Sequence, residues 1–88
     1  MTRLTHFDLG NNLIYDLSGS LFLKLLNLRE LTLSGNSLEN IFKAMFHGLQ
    51  SLNYLNLNSN KISHIDEHSF EHVANIEMLK LSFNNIKD

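Results

Sequence analysis

The 88-residue chain contains neither cysteine nor proline. Without cysteine it has no disulfide framework, no thiolate zinc site and no cysteine nucleophile. Average usage of proline would place roughly four in a chain of this length. The formal charge is only −2, and 43% of the residues are apolar against 18% that are charged. This balance is typical of a small globular domain, and it lacks the basic excess that tracks phosphates, so we predict no nucleic-acid partner.

Long apolar runs are also missing. No apolar stretch of signal-peptide length precedes Asp8, and no apolar run exceeds three residues, as at residues 21–23, which end before Lys24. A membrane-spanning helix needs about 20 apolar residues. No Asn-x-Ser/Thr glycosylation site occurs either. From the sequence as written, we predict neither an export signal nor an anchor within this segment, and no insertion of it into a membrane.

Leucine and asparagine are abundant, with 18 Leu and 12 Asn. Both recur with a period of 24 residues, and the copies are LTHFDLGNNLI from Leu4, LRELTLSGNSL from Leu28, LNYLNLNSNKI from Leu52 and IEMLKLSFNNI from Ile76. Places one, four, six and eleven of every copy are apolar, and place nine is always Asn. The second half of the unit repeats as well, with three apolar columns: Leu17, Ile41, Ile65; Phe22, Phe46, Phe70; and Leu25, Leu49, Val73.

Each column has a physical interpretation. Alternation at places four and six predicts a short strand whose inward side chains are apolar, while places three, five and seven point outward. Twenty-four residues suffice for a crossover, so successive strands should be parallel. The recurrent Asn marks the bend after the strand, where its amide can donate to and accept from unpaired backbone groups. The Phe column should fill the space between the strand and the back segment.

The pattern LxxLxLxxNxL, followed by an apolar residue, Phe and Leu, resembles the leucine-rich repeat. The 24-residue unit with a Phe spine is similar to the typical class of Toll-like receptor ectodomains, small leucine-rich proteoglycans and insect cell-surface proteins. The resemblance implies an α/β horseshoe solenoid, with short parallel strands on the concave face and irregular or short helical convex segments. It divides the chain into a first unit at 4–27, a second at 28–51, a third at 52–75 and a partial fourth at 76–88.

The chain departs from the family pattern in two ways. The back segments begin with Ser18, Phe42 and Asp66 where the family often has Pro, and only Gly48 keeps the usual glycine. The cysteine-rich caps of secreted members are absent. Because repeats bury their apolar faces only against neighbours, we expect the segment to be an excerpt of a longer solenoid that can self-associate through its uncapped ends.

The outward positions form the predicted partner-binding surface. These candidates are His6, Asp8, Arg29, Glu30, Thr32, Tyr54, Asn56, Met78 and Lys80. Tyr and Arg are the types that most often anchor interfaces. A structural role is predicted for the ladder Asn12, Asn36, Asn60 and Asn84.

Two other constellations carry less weight. His64, His68 and His72 are spaced by four, a workable zinc pattern, but the neighbouring apolar columns place them on the wet back side, where a mild pH response is the more natural interpretation. His6, Asp8 and Ser34 superficially resemble a hydrolase set, but an open ladder supplies no pocket or oxyanion hole. We predict no catalytic residues, no metal and no cofactor.

Some apolar residues lie outside the repeating columns, and these are Leu13, Leu23, Leu26 and Phe42. Three belong to the first unit, so its back should be more apolar than the rest. The simpler interpretation is packing against an upstream repeat, and the alternative is a lateral contact surface.

The sequence therefore favours a protein–protein recognition module within a receptor or adhesion ectodomain, at the cell surface or outside the cell. The main alternative is an intracellular scaffold or regulatory module, for which a lack of cysteine is natural. A spacer that touches no ligand and an enzyme are the remaining hypotheses.

Overall fold

The computed structural model describes residues 5–14, 25–42, 45–66, 68–73 and 75–86. Predictions for Leu4, Leu17, Ser18, Phe22 and Leu23 lie outside these ranges. Among the described residues, no helix is long and apolar enough to cross a membrane.

Six short strands account for nearly all the regular structure of the described residues. They are β1 (His6–Asp8), β2 (Glu30–Thr32), β3 (Asn40–Ile41), β4 (Tyr54–Asn56), β5 (His64–Ile65) and β6 (Met78–Lys80). A 3-10 helix spans Glu71–Val73. The predicted solenoid is confirmed, because parallel strands recur along the chain and the described residues between them contain no helix other than this short 3-10 helix.

The main sheet has four parallel strands in the order β1-β2-β4-β6. Its register joins residues 24 apart, so Phe7 pairs with Leu31, Leu31 with Leu55 and Leu55 with Leu79. The sheet therefore aligns each sequence column as a row of neighbouring side chains. Backbone bonds continue the pairing past the strands, as where the Leu33 N–H donates to the Asn56 carbonyl at 2.8 Å.

A second, two-stranded parallel ladder lies behind the main sheet, and the sequence did not predict it. Asn40 pairs with His64, and Ile41 pairs with Ile65. Each strand is only two residues long, too short for a period-two pattern to be recognised. Strand pairing on the back of the molecule thus connects the second and third units, where only irregular or short helical structure was expected.

The apolar columns form the core, which is most complete in the second and third units. On and directly after β2 and β4, its fully buried residues are Leu31, Leu33, Leu55 and Leu57. The corresponding residues of the first and fourth units pack against this core but are only partly buried, namely Phe7, Leu9, Leu79 and Leu81. The rings of Phe46 and Phe70 stack with centroids 5.9 Å apart. Burial therefore depends on having a neighbouring unit on each side, as expected of a stacked repeat.

One core column was missed from the sequence. Met45 is 1% exposed, and Ser69, one repeat later, is 0% exposed. The Ser69 hydroxyl donates to the Ile41 carbonyl at 3.0 Å, which satisfies the buried oxygen of the side chain. The mixture of Met and Ser in one column concealed it from a search for apolar repetition.

The Asn ladder connects each unit to the preceding one. The Asn60 amide donates to the Leu57 carbonyl of its own unit at 3.1 Å and to the Leu33 carbonyl of the second unit at 2.9 Å. Its side-chain oxygen accepts from the Leu38 N–H at 3.1 Å. Asn36 and Asn84 make the same three kinds of bond to their own and preceding units. These bonds satisfy backbone groups at the bend, where no strand pairing reaches them.

Asn12 occupies the same column but bonds differently. Its amide donates to the Leu9 carbonyl at 2.9 Å and the Gly10 carbonyl at 3.2 Å, both within its own unit. The residue is exposed, whereas Asn36 and Asn60 are each 6% exposed. Asn at the same position of the repeat therefore makes different numbers of hydrogen bonds, depending on the units beside it.

The residue before each ladder Asn has a left-handed backbone. The φ angles are 57° at Asn11, 73° at Gly35, 58° at Ser59 and 59° at Phe83. Asn and Gly adopt this conformation readily, but Phe does so at a cost. The same bend is thus imposed on four chemically different residues.

Candidate functional site

The outward positions of the main sheet form one surface, which we call the strand face. It consists of His6, Asp8, Glu30, Thr32, Tyr54, Asn56, Met78 and Lys80. Burial alternates on β2 and β4, and on β4 Leu55 is buried between the half-buried Tyr54 and Asn56. The sheet brings eight of the nine predicted partner-binding residues together in two adjacent columns.

Arg29, the ninth candidate, lies one residue before β2 at the margin of the strand face. Its side chain is exposed, and its carbonyl accepts from the N–H groups of Asn53 and Tyr54. Glu77 takes the equivalent place before β6 and is also exposed. These two side chains border the strand face without belonging to its columns.

The β1–β2 half of the strand face is acidic, and its groups are held in place. His6 Nε2 lies 3.2 Å from Glu30 Oε2, and His6 Nδ1 lies 2.9 Å from Thr5 Oγ1. Asp8 Oδ1 accepts from the Gly10 N–H at 2.8 Å. A carboxylate can accept several hydrogen bonds, so both acids retain acceptor capacity toward a partner.

The β4–β6 half combines an aromatic ring, a thioether and a cation. Lys80 Nζ lies 5.7 Å from the centroid of the Tyr54 ring, within cation–π range. The Asn56 amide donates to the Tyr54 hydroxyl at 3.4 Å. Met78, on the strand beside Tyr54, is 51% exposed. Tyr54 is thus contacted at its hydroxyl and over the face of its ring, while its apolar neighbour Met78 stays open to solvent.

Side chains also fix the backbone where the strands end, and the sequence did not reveal this. Asn56 Oδ1 accepts from the Asn58 N–H at 3.0 Å, as Asp8 does from Gly10. Asn58 Oδ1 accepts from the Ser82 N–H of the next unit at 2.7 Å. An Asx residue two places before a small or polar residue was the available signal. The edge of the strand face is therefore held by two sets of hydrogen bonds between side-chain oxygens and backbone N–H groups.

One of the three histidines predicted on the back of the molecule contacts a carboxylate. His68 Nδ1 lies 2.6 Å from Glu71 Oε2. His64 is exposed on β5, and the side chain of His72 lies outside the described part of the chain. Within that part, no three His, Asp or Glu side chains come close enough together to hold a metal ion.

The three residues that resemble a hydrolase set are not arranged as one. Both ring nitrogens of His6 lie at hydrogen-bonding distance from Thr5 and Glu30, and Asp8 bonds the Gly10 backbone. The Asp8 carboxylate therefore does not orient the His6 imidazole. Nucleophile activation requires a base that a third group orients in this way.

Exposed apolar side chains lie outside the strand face at scattered positions. Leu13 is 86% exposed and Phe83 is 83% exposed, whereas Leu26 is 42% exposed. Phe42, expected outside the core, is partly buried against it. Phe83 combines near-complete exposure with a left-handed backbone, and no sequence pattern distinguished it.

The parallel 24-residue register, the apolar rows and the Asn bonds together describe a repeat architecture. A family model described as leucine rich repeat matches residues 2–52 and, in a second match, residues 27–86. The chain belongs to the leucine-rich repeat family. Leucine-rich repeats generally mediate protein–protein interaction, and the family is typically a non-enzymatic interaction module. No curated protein matched the chain closely enough to count as a relative.

Proposed function

We propose that this leucine-rich repeat chain recognises another protein through the strand face, as part of a receptor or adhesion protein. The observation that carries the proposal is the contrast on β4, where Tyr54 and Asn56 face outward on either side of the buried Leu55. The inward positions carry apolar residues in every unit, while the outward positions carry different residue types from unit to unit.

A preorganised frame supports this proposal. The ladder Asn residues bond neighbouring units at one end of the strands, and Asn58 bonds the next unit beside them. Side chains on such a frame lose little backbone freedom when a partner binds, which favours affinity. Tyr54 adds a residue type that is enriched among the strongest contributors to interfaces.

The extent of the strand face sets the scale of the interaction. Four strands about 4.8 Å apart span roughly 15 Å from first to last. A standard interface buries roughly 800 Å² on each partner, more than a surface of this extent supplies. We therefore propose that these strands contribute part of a larger binding surface.

Site-specific photocrosslinking in cells tests the proposed function. A photoreactive amino acid replaces Tyr54 on the strand face, and the control variant carries it at the exposed Lys61. We expect specific protein adducts from position 54 that position 61 does not form. Adducts from position 61 alone, or the same adducts from both positions, would contradict recognition by the strand face.

The location of the protein is a separate part of the proposal. The resemblance to the 24-residue typical class supports a cell-surface or extracellular location, whereas the complete lack of cysteine suits a reducing compartment and an intracellular scaffold. Labelling of intact cells with a membrane-impermeant amine reagent separates the two. Labelling before lysis supports the surface location, and labelling only after lysis supports the intracellular one.

A further inference from the structure

The charge of the strand face changes from one strand to the next across the sheet. Its carboxylates, Asp8 and Glu30, lie on β1 and β2, and its ammonium group, Lys80, lies on β6. Tyr54 lies between them on β4. Taken together, the two columns of the strand face therefore change from acidic on β1 and β2, through aromatic on β4, to basic on β6.

The groups at both ends retain capacity for a partner. Lys80 Nζ contacts the Tyr54 ring, and a cation over a ring still has its N–H donors available. Glu30 bonds His6 through Oε2, and Asp8 bonds Gly10 through Oδ1. These contacts orient the charges without filling their hydrogen-bonding sites.

The aromatic centre provides apolar area between the charges. The Tyr54 ring is half-buried, and Met78 beside it in the same column is 51% exposed. An apolar side chain placed here would cover the thioether and the open ring edge, and burial of such area favours binding. The neighbouring Arg29 and Glu77 lie at the margin, one residue before their strands.

From this complementarity we propose that the strand face binds an extended protein segment that crosses the strands. The segment carries a basic side chain over Asp8 and Glu30, an apolar one over Tyr54 and Met78, and an acidic one over Lys80. Lys80 lies two to three strand spacings from the two carboxylates, or about 10–14 Å, and an extended chain rises about 3.3 Å per residue. The opposite charges of the segment are therefore expected three to four residues apart. The inference rests on the proposed function and names the chemistry of its partner.

Selection from a library of short random linear peptides tests the inference on the purified protein. We expect the wild-type protein to enrich peptides that carry one basic and one acidic residue, three to four residues apart, around an apolar residue. The Lys80→Glu variant makes both ends of the strand face acidic, so its selected peptides should be basic at both ends. Peptides selected on the wild type should bind this variant about tenfold or more weakly, because like charges then meet.

Matched variants determine which part of the account fails. Lys61→Glu changes the charge by the same amount at an exposed site outside the strand face, and it should leave the selected peptides unchanged. Arg29→Ala, at the margin, should weaken their binding less than Tyr54→Ala. Thermal unfolding of every variant checks that it folds like the wild type.

Three results would overturn the inference. The first is the absence of any selected peptide, and the second is a wild-type selection without the paired charges. The third is an equal response to Lys80→Glu and Lys61→Glu. If crosslinks from position 54 persist in those cases, the proposed function stands and only the partner chemistry is wrong. If position 54 also gives no specific adduct, both are wrong.

Discussion

The two faces of strand β4 differ in both burial and chemistry. Leu55 points inward, is 0% exposed and continues a row of apolar residues across the sheet. Tyr54 and Asn56, its neighbours in sequence, point outward into columns that contain charged, polar and aromatic residues. The inward face is repeated because every unit must pack against the next, whereas the outward face is free to vary and can therefore specify a partner.

Truncating the inward face should have the largest effect. Leu55→Ala removes a fully buried side chain from the middle of the stack, and we expect a loss of about 3 kcal/mol in the free energy of unfolding. Leu79→Ala is the matched control, since Leu79 is only partly buried, and it should cost about 1–2 kcal/mol. Denaturant unfolding measures both. Equal losses would contradict a core centred on the second and third units.

The Asn ladder should show the next largest effect. Asn60→Ala leaves the buried Leu38 N–H without its side-chain acceptor, whereas the Leu33 carbonyl keeps its bond from the Asn36 amide. One unsatisfied buried N–H, together with the lost amide hydrogen bonds to the Leu33 and Leu57 carbonyls, makes a loss of about 2–3 kcal/mol the expected result.

Asn12→Ala provides the comparison within the same column. Asn12 is exposed, and its hydrogen bonds to the described residues stay within its own unit, so its loss should cost about 0.5 kcal/mol. Hydrogen exchange at the Leu38 amide adds a local readout, which Asn60→Ala should accelerate and Asn12→Ala should not. If both substitutions cost the same, the ladder does not act by joining units.

After the substitutions of Leu55 and Asn60, a smaller effect should come from Phe83, where a side chain that the fold does not bury has a left-handed backbone. Phe83→Asn should stabilise the protein by about 0.5–1 kcal/mol, because Asn tolerates this conformation better. Leu13→Asn is the control, since Leu13 is equally exposed without a positive φ, and its midpoint of thermal unfolding should barely change. A clear destabilisation by Phe83→Asn would mean that the ring packs in the fold.

Much of this architecture could be predicted from the sequence because one residue type recurs at one address. The strands, their parallel order and the inward rows follow from the apolar places, and the Asn bonds follow from place nine. Columns of mixed composition could not be predicted in this way. Met45 and Ser69 share a buried position, and Gly35 and Phe83 share a left-handed bend, but their chemistry does not repeat.

In the candidate site too, some features could be predicted from the sequence and others could not. Alternation predicts that Tyr54 and Lys80 face outward, and the structure places both on the strand face. The approach of Lys80 Nζ to the Tyr54 ring depends on side-chain rotamers on two strands, and the contact of His6 with Glu30 does so as well. Such contacts require coordinates, because residue spacing fixes which side chains share a face but not how they meet.

A pair of measurements on Tyr54→Ala tests most directly whether the strand face serves binding and not stability. The account predicts that the free energy of unfolding falls by less than about 1 kcal/mol, since the ring is half-buried and contributes one cation–π contact. It predicts in the same variant a loss of about tenfold or more in affinity for the peptides selected on the wild-type protein. Unchanged affinity, or a loss of stability comparable to that of Leu55→Ala, would contradict the account.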